Sequence, residues 1–231
     1  MSFTCKKLLI KSKEKTLLDV GFSFEHSFAL IGESGSGKSL TLKALLGMLP
    51  HELDVILEYE ASYTLVRGES MAFVPQNPFT ALSPLSTIEK QFMTSEKNTV
   101  HYLEMVGLEE GFLKRFPSEL SGGQLQRLII AMALSIEPKL LLLDEPTTAL
   151  DEESKSVVLT LIKQLQAHYG FDILFVTHDV ETVANLCDEV GIIQRGCMVE
   201  QGGVKEVLMH PKEIYTQQLL SSGFRQRSFR T

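Results

Sequence analysis

An apolar run, Phe28 to Ile31, leads into Gly32-Glu33-Ser34-Gly35-Ser36-Gly37-Lys38-Ser39, and a periodic segment, Leu40 to Leu49, follows. The eight residues fit GxxxxGK[ST], with the strand before and helix after that the pattern requires. Chance would place the pattern in roughly one chain in a hundred of this length, as a Gly/Ser turn with a surface lysine. The strand and helix around it argue instead for a phosphate-binding loop. The glycines let the backbone wrap with its N–H groups turned inward, and the following helix adds the positive end of its dipole. Lys38 would neutralise β and γ phosphates, and the Ser39 hydroxyl would ligate Mg²⁺. Gly32, Ser34, Gly35, Ser36, Gly37, Lys38 and Ser39 are therefore candidate nucleotide-binding residues.

Short apolar runs suited to buried strands alternate with longer periodic segments suited to helices, the order of an α/β protein with a parallel sheet. Leu140 to Leu143 precedes a helical pattern over Glu152 to His168, and Ile173 to Val176 precedes another over Val180 to Leu186. Between the first unit and these lies a more polar stretch, Leu53 to Lys114, punctuated by Pro75, Pro78 and Pro84, with a helix expected over Asn98 to Val106. It reads as an inserted lobe. Arg195-Gly196 turns between Val190 to Gln194 and Cys197 to Gln201, and short helices follow at Val204 to Met209 and Ile214 to Leu220.

The Leu140 to Leu143 strand ends in Asp144-Glu145-Pro146, and two carboxylates at the carboxyl end of a core strand are costly unless a cation or substrate uses them. Asp144 would hold Mg²⁺, mostly through its water shell. Glu145, one residue on and pointing the other way, would take a proton from an attacking water.

With 231 residues, 44% hydrophobic and 22% charged, the chain can bury a sizeable core, which excludes disordered and collagenous classes. Leu128 to Ile136 and Leu140 to Leu143 fall short of the ~18 residues that span a bilayer. The N-terminal segment mixes charges with apolar residues and lacks a secretory core of ~7 to 15 apolar residues, so a cytosolic location is expected. Cys5, Cys187 and Cys197 suggest neither a disulfide framework nor a metal knuckle. A net charge of -7 argues against nucleic acid as partner. Only the tail, with Arg225, Arg227 and Arg230, is locally basic.

Leu120-Ser121-Gly122-Gly123-Gln124 opens a helix whose Leu128, Ile129, Met132 and Ala133 recur at helical spacing. Physically this is a capped helix start and a second possible anion site. The string LSGGQ resembles the signature of ATP-binding cassette (ABC) ATPases, and the family's other landmarks follow in order over essentially the whole chain. Gln76 in FVPQNP resembles the glutamine that reaches Mg²⁺ and couples nucleotide to the membrane partner. Ser121, Gly122, Gly123 and Gln124 are similar to the segment that binds the γ phosphate of an ATP held by the opposite subunit. Asp151 in ALD resembles a residue that communicates across that interface, and His178 in FVTHD the histidine that contacts the γ phosphate. His26, His51, His101, His168 and His210 show no ligand-like spacing.

QNPFTALSPLSTI, PSELSGGQLQR, LLDEPTTALD and HPKEIYTQQLL resemble the peptide and nickel importer branch, and SGSGKSLTLKALLGMLP is especially similar to nickel importer ATPases. The resemblance implies one cassette over residues 1–231: a RecA-like P-loop NTPase core, an N-terminal antiparallel β subdomain and a helical insertion at about 78–133. It further implies ATP hydrolysis with Mg²⁺, a second cassette (identical or paralogous), two membrane permeases and an extracytoplasmic binding protein. The place would be the cytoplasmic face of a bacterial-type membrane. An exporter ATPase or a non-transport cassette is the alternative. Near Ile10 to Lys13, where the family usually carries an aromatic residue for adenine, there is none, and Phe3 is the only earlier candidate.

Overall fold

The computed structural model describes residues 2–93 and 96–225, with side chains omitted for Glu96 and 222–225. Arg227 and Arg230 of the basic tail, and the side chain of Arg225, lie outside that description. The chain divides into two compact units, Met1–Leu65 with Asp172–Thr231, and Val66–Phe171.

The first unit holds β1 (Phe3–Ser12), β2 (Lys15–Phe24), β3 (Ser27–Ile31), α1 (Lys38–Leu45), β4 (Asp54–Glu60), β7 (Asp172–Thr177), α5 (Val180–Leu186), β8 (Glu189–Gln194), β9 (Cys197–Gly203), α6 (Val204–Met209) and α7 (Ile214–Arg225). Its strands run in the order β4-β1-β2-β9-β8-β3-β7. All five residues of β3 are buried, so both faces of the strand are covered, and its two edges are paired in parallel with β7 and β8. That explains its unbroken apolar sequence. β2 instead alternates, burying Leu18, Val20, Phe22 and Phe24 on one face. Phe22 and Phe24 join Phe28 and Phe3 in an aromatic cluster, with ring centroids 5.1 Å apart for Phe22 and Phe28 and 5.5 Å for Phe3 and Phe24. Phe3 also stacks on Tyr59. It is a core residue.

Two expectations change. The stretch from Leu53 does not wholly belong to an inserted lobe, since β4 pairs antiparallel with β1 from Asp54 to Glu60. Its residues are mostly exposed or half-buried, as on a sheet edge, so it lacks the apolar run that marks a buried strand. The sheet of this unit is mixed: β1 with β2, as the expected N-terminal antiparallel subdomain implies, and β8 with β9, across the expected turn at Arg195-Gly196, are antiparallel pairs. Helix α1 stops at Leu45 instead of Leu49, because Gly47 takes φ +63° and its N–H bonds back to Ala44.

At the start of β7, Asp172 is only 3% exposed, and its Oδ2 accepts a hydrogen bond from the Tyr63 hydroxyl at 3.2 Å. Burial raises the carboxyl above its ordinary 3.8, opposed by the Tyr63 hydrogen bond and the nearby His26.

The second unit holds β5 (Met71–Val74), α2 (Glu96–Met105), α3 (Gly122–Leu134), β6 (Leu140–Asp144) and α4 (Glu152–Tyr169). β5 and β6 are parallel, in register from Met71↔Leu140 to Val74↔Leu143. This register sets Gln76, two residues past β5, beside the acidic end of β6. Leu125, Leu128, Ile129 and Ala133 give α3 its buried face. The Arg127 guanidinium donates to the carbonyls of Val106 and Gly107, each at 3.0 Å, clasping the end of α2.

Candidate functional site

The phosphate loop lies in the first unit, between β3 and α1. A Cβ on Gly32 would stand 2.3 Å from the Ile193 carbonyl oxygen, so β8 leaves room only for glycine there. Gly37, at φ +118°, precedes the first turn of α1. The Lys38 amine turns back over the loop, donating to the Gly32 carbonyl at 2.7 Å and the Glu33 carbonyl at 3.0 Å. Lys38 is 7% exposed and Ser36 5%. Ser36 Oγ is buried without a hydrogen-bond partner. An orphaned hydroxyl beside a buried ammonium, in a cradle narrowed by β8, suits an anion rich in oxygen acceptors. Ser34, Gly35 and Ser39 occupy the exposed side of the loop.

His178 follows β7 in the same unit and is exposed. Its flanks are fixed: the Asp179 N–H donates to Thr177 Oγ1 at 3.0 Å, and Asp179 Oδ1 caps α5 by accepting from the Glu181 N–H at 3.0 Å.

In the second unit, Gln76 Nε2 donates to Glu145 Oε2 at 3.0 Å, and Thr148 Oγ1 donates to the same oxygen at 3.1 Å. Glu145 has φ +45°, in the left-handed region. Asp144, half-buried, closes β6 just before it. Sequence reasoning proposed Gln76 and Glu145 separately, and the structure joins them. Thr148 carried no assignment, because a threonine in a TTALD string has no distinctive signal of its own.

Ser121 is the N-cap of α3. Its Oγ accepts from the Gln124 N–H at 3.3 Å, while Gln124 Oε1 accepts from the Ser121 N–H at 3.0 Å. This reciprocal capping box means that the serine and glutamine of LSGGQ complete their own helix start. Asp151 caps α4 in a similar way, accepting from the Ser154 N–H at 2.9 Å and the Ser154 hydroxyl at 2.8 Å. Those bonds, the backbone one foremost, hold its carboxyl below the usual range. Ser154 also faces Gly123, where a Cβ would stand 2.9 Å from its Oγ. Gly122, Gly123 and Asp151 thus meet around the start of α4. Ser154, unassigned from sequence, is the link.

Among the described residues no cluster of three His, Cys, Asp or Glu side chains is arranged to hold a metal. No helix there is long and apolar enough to cross a membrane.

The profile of the ABC transporter family matches residues 18–148, more than half of the chain. The chain belongs to the ABC transporter family. Among its ABC relatives, the peptidoglycan transport ATP-binding protein of Agrobacterium fabrum is 38% identical over 84% of this chain and 40% of its own length. The oligopeptide transport ATP-binding protein OppD of Bacillus subtilis is 37% identical over 85% of this chain and 62% of its own. The metal-staphylopine import system ATP-binding protein of Staphylococcus aureus is 35% identical over 88% of this chain and 85% of its own. The chain thus spans less than two thirds of the first two. A crystal structure of the ADP conformation of MJ1267, an ATP-binding cassette of an ABC transporter, matches with a TM-score of 0.76 and 22% identity, over 94% of this chain and 99% of that one. At that identity the likeness is one of fold, and the fold is the α/β P-loop NTPase architecture of the ABC cassette.

Proposed function

We propose that this chain is the ATP-binding and ATP-hydrolysing subunit of an ABC importer for nickel, a nickel chelate or peptides. The observation that carries the reading is the 35% identity to the metal-staphylopine import protein across 85% of that relative's length. Likeness to the oligopeptide protein keeps peptides open as cargo.

The phosphates of ATP settle on the loop, where they draw the Lys38 amine from the Gly32 and Glu33 carbonyls and reach the Ser36 hydroxyl. Ser39, Gln76 and Asp144 offer the hard oxygen donors that Mg²⁺ takes, and the cation, when bound, offsets phosphate charge. Glu145 accepts a proton from the attacking water, and His178 contacts the γ phosphate. Two cassettes face each other head to tail. Each ATP lies between the loop of one and the Ser121 to Gln124 segment of the other, with Asp151 at the same interface. Residues 78–133 form the helical insertion, and two permeases dock beside Gln76; further along the same segment Phe79, Leu85 and Met93 expose large apolar side chains. The subunit then sits at the cytoplasmic face of the membrane, and an extracytoplasmic binding protein selects the cargo.

The test is uptake in intact cells that lack this chain. Loss of nickel uptake with dipeptide uptake intact assigns the metal, and the reverse assigns peptides. Purification through this subunit without any membrane protein would overturn the transporter reading.

A further inference from the structure

The C-terminal end of the first unit reaches the phosphate loop through a residue with no assigned role. Tyr215, in the first turn of α7, accepts a hydrogen bond at its hydroxyl oxygen from the Glu33 N–H at 3.3 Å. The other side of Glu33 is equally engaged. Its carbonyl accepts from the Ser36 N–H at 3.1 Å and from the Lys38 amine at 3.0 Å. Whatever sets the tilt of Glu33 therefore sets the place from which Lys38 and Ser36 start.

The start of α7 is itself held. Glu200 on β9 accepts from the Lys212 N–H at 2.9 Å through Oε1 and from the Glu213 N–H at 3.2 Å through Oε2. Lys212 pairs with Glu206 of α6 at 2.8 Å. On the other flank, the Gly196 N–H between β8 and β9 donates to the Ser36 carbonyl at 2.8 Å. The loop is thus pinned twice from the C-terminal half of the chain, once at Glu33 and once at Ser36.

We infer that Tyr215 is a positioning residue for nucleotide binding: its hydroxyl orients the Glu33 peptide, and the Glu200-anchored start of α7 orients the hydroxyl. The inference rests on the ATP reading above. Tyr215 does not touch the reacting atoms. Its effect falls on the affinity of the empty loop for phosphate and leaves the chemical step alone.

The experiment uses the full chain, a fluorescent ATP analogue with Mg²⁺, and the variant Tyr215→Phe, which keeps the ring and removes the hydroxyl. Losing one hydrogen bond raises Kd for the analogue about threefold to tenfold, with saturated ATP turnover within about twofold of the parent. In the nucleotide-free protein, amide exchange at Glu33 speeds up. Glu200→Gln, one step removed, shifts Kd in the same direction by less. If the parent binds the analogue and Tyr215→Phe matches it in both Kd and Glu33 exchange, the inference falls while the ATP reading stands. If the parent itself binds no nucleotide, both fall.

Discussion

Gln76 and Glu145 share a hydrogen bond of 3.0 Å, amide to carboxylate, at the ends of two parallel neighbouring strands. Thr148 donates to the same oxygen, so two donors fix the plane of the carboxylate proposed to accept a proton. Glu145→Gln keeps shape and hydrogen bonding but removes the base. Bound Mg-ATP should persist while turnover drops about 10²- to 10⁴-fold, whereas Lys38→Ala should lose binding. Parent-rate turnover by Glu145→Gln in steady-state assays, with membrane partners present, would remove Glu145 from the role of base.

Gly196 should tolerate no side chain. It takes φ +82°, and a Cβ there would stand 2.2 Å from the Leu17 carbonyl oxygen. Gly170, at φ +69° with open space around it, is the control that isolates backbone strain. Gly170→Ala should cost about 1 to 2 kcal/mol. Gly196→Ala should cost more and weaken nucleotide binding besides, because its N–H holds Ser36. Denaturant midpoints and a nucleotide titration on both variants check this, and equal costs would contradict it.

Adenine should be chosen weakly. Ile10 is buried within β1, Lys13 lies in the turn to β2, and Phe3 is locked in the aromatic core. Aromatic stacking contributes roughly 1 to 3 kcal/mol per base in nucleic-acid proteins, and here that contact is missing where the family usually places it. Competition between ATP and GTP should show less than about a hundredfold preference. A larger one would mean an adenine contact elsewhere.

Asp172 gives the fold a pH dependence of defined sign. Its carboxyl titrates above the ordinary 3.8 in the folded chain, so its stabilising effect is fully present below that value. It is lost as pH rises through the raised value, because only the unfolded chain ionises freely there. Asp172→Asn, which keeps an acceptor for Tyr63, should remove this fall and be the more stable form at pH 7. Tyr63→Phe should widen the window upward. Unfolding midpoints measured from pH 4 to 7 decide it, and parallel curves for parent and Asp172→Asn would refute the assignment.

Some of this architecture could be read in the chain, for physical reasons. β3, β6 and β7 are continuous apolar runs because their residues are almost all buried, and the glycine motifs announced the loop and the start of α3. β4 escaped notice because an exposed edge strand carries no such run. The bond between Glu33 and Tyr215 joins residues 182 apart in sequence, and local pattern holds no trace of a partnership at that range. HPKEIYTQQLL, which contains Tyr215, carried a resemblance to the importer branch and no contact of its own. The pairing of Asp151 with Ser154 could be anticipated as a helix cap. Its position against Gly123 depended on how α3 and α4 pack.

The left-handed backbone at Glu145 sets chemistry against folding. An L-residue with a side chain costs roughly 1 to 2 kcal/mol in that conformation, a penalty that glycine escapes. The carboxylate proposed as the base therefore occupies a position where the backbone conformation itself favours having no side chain. Selection for backbone ease alone would draw position 145 toward glycine, at the cost of the Gln76 and Thr148 hydrogen bonds and of the proposed base.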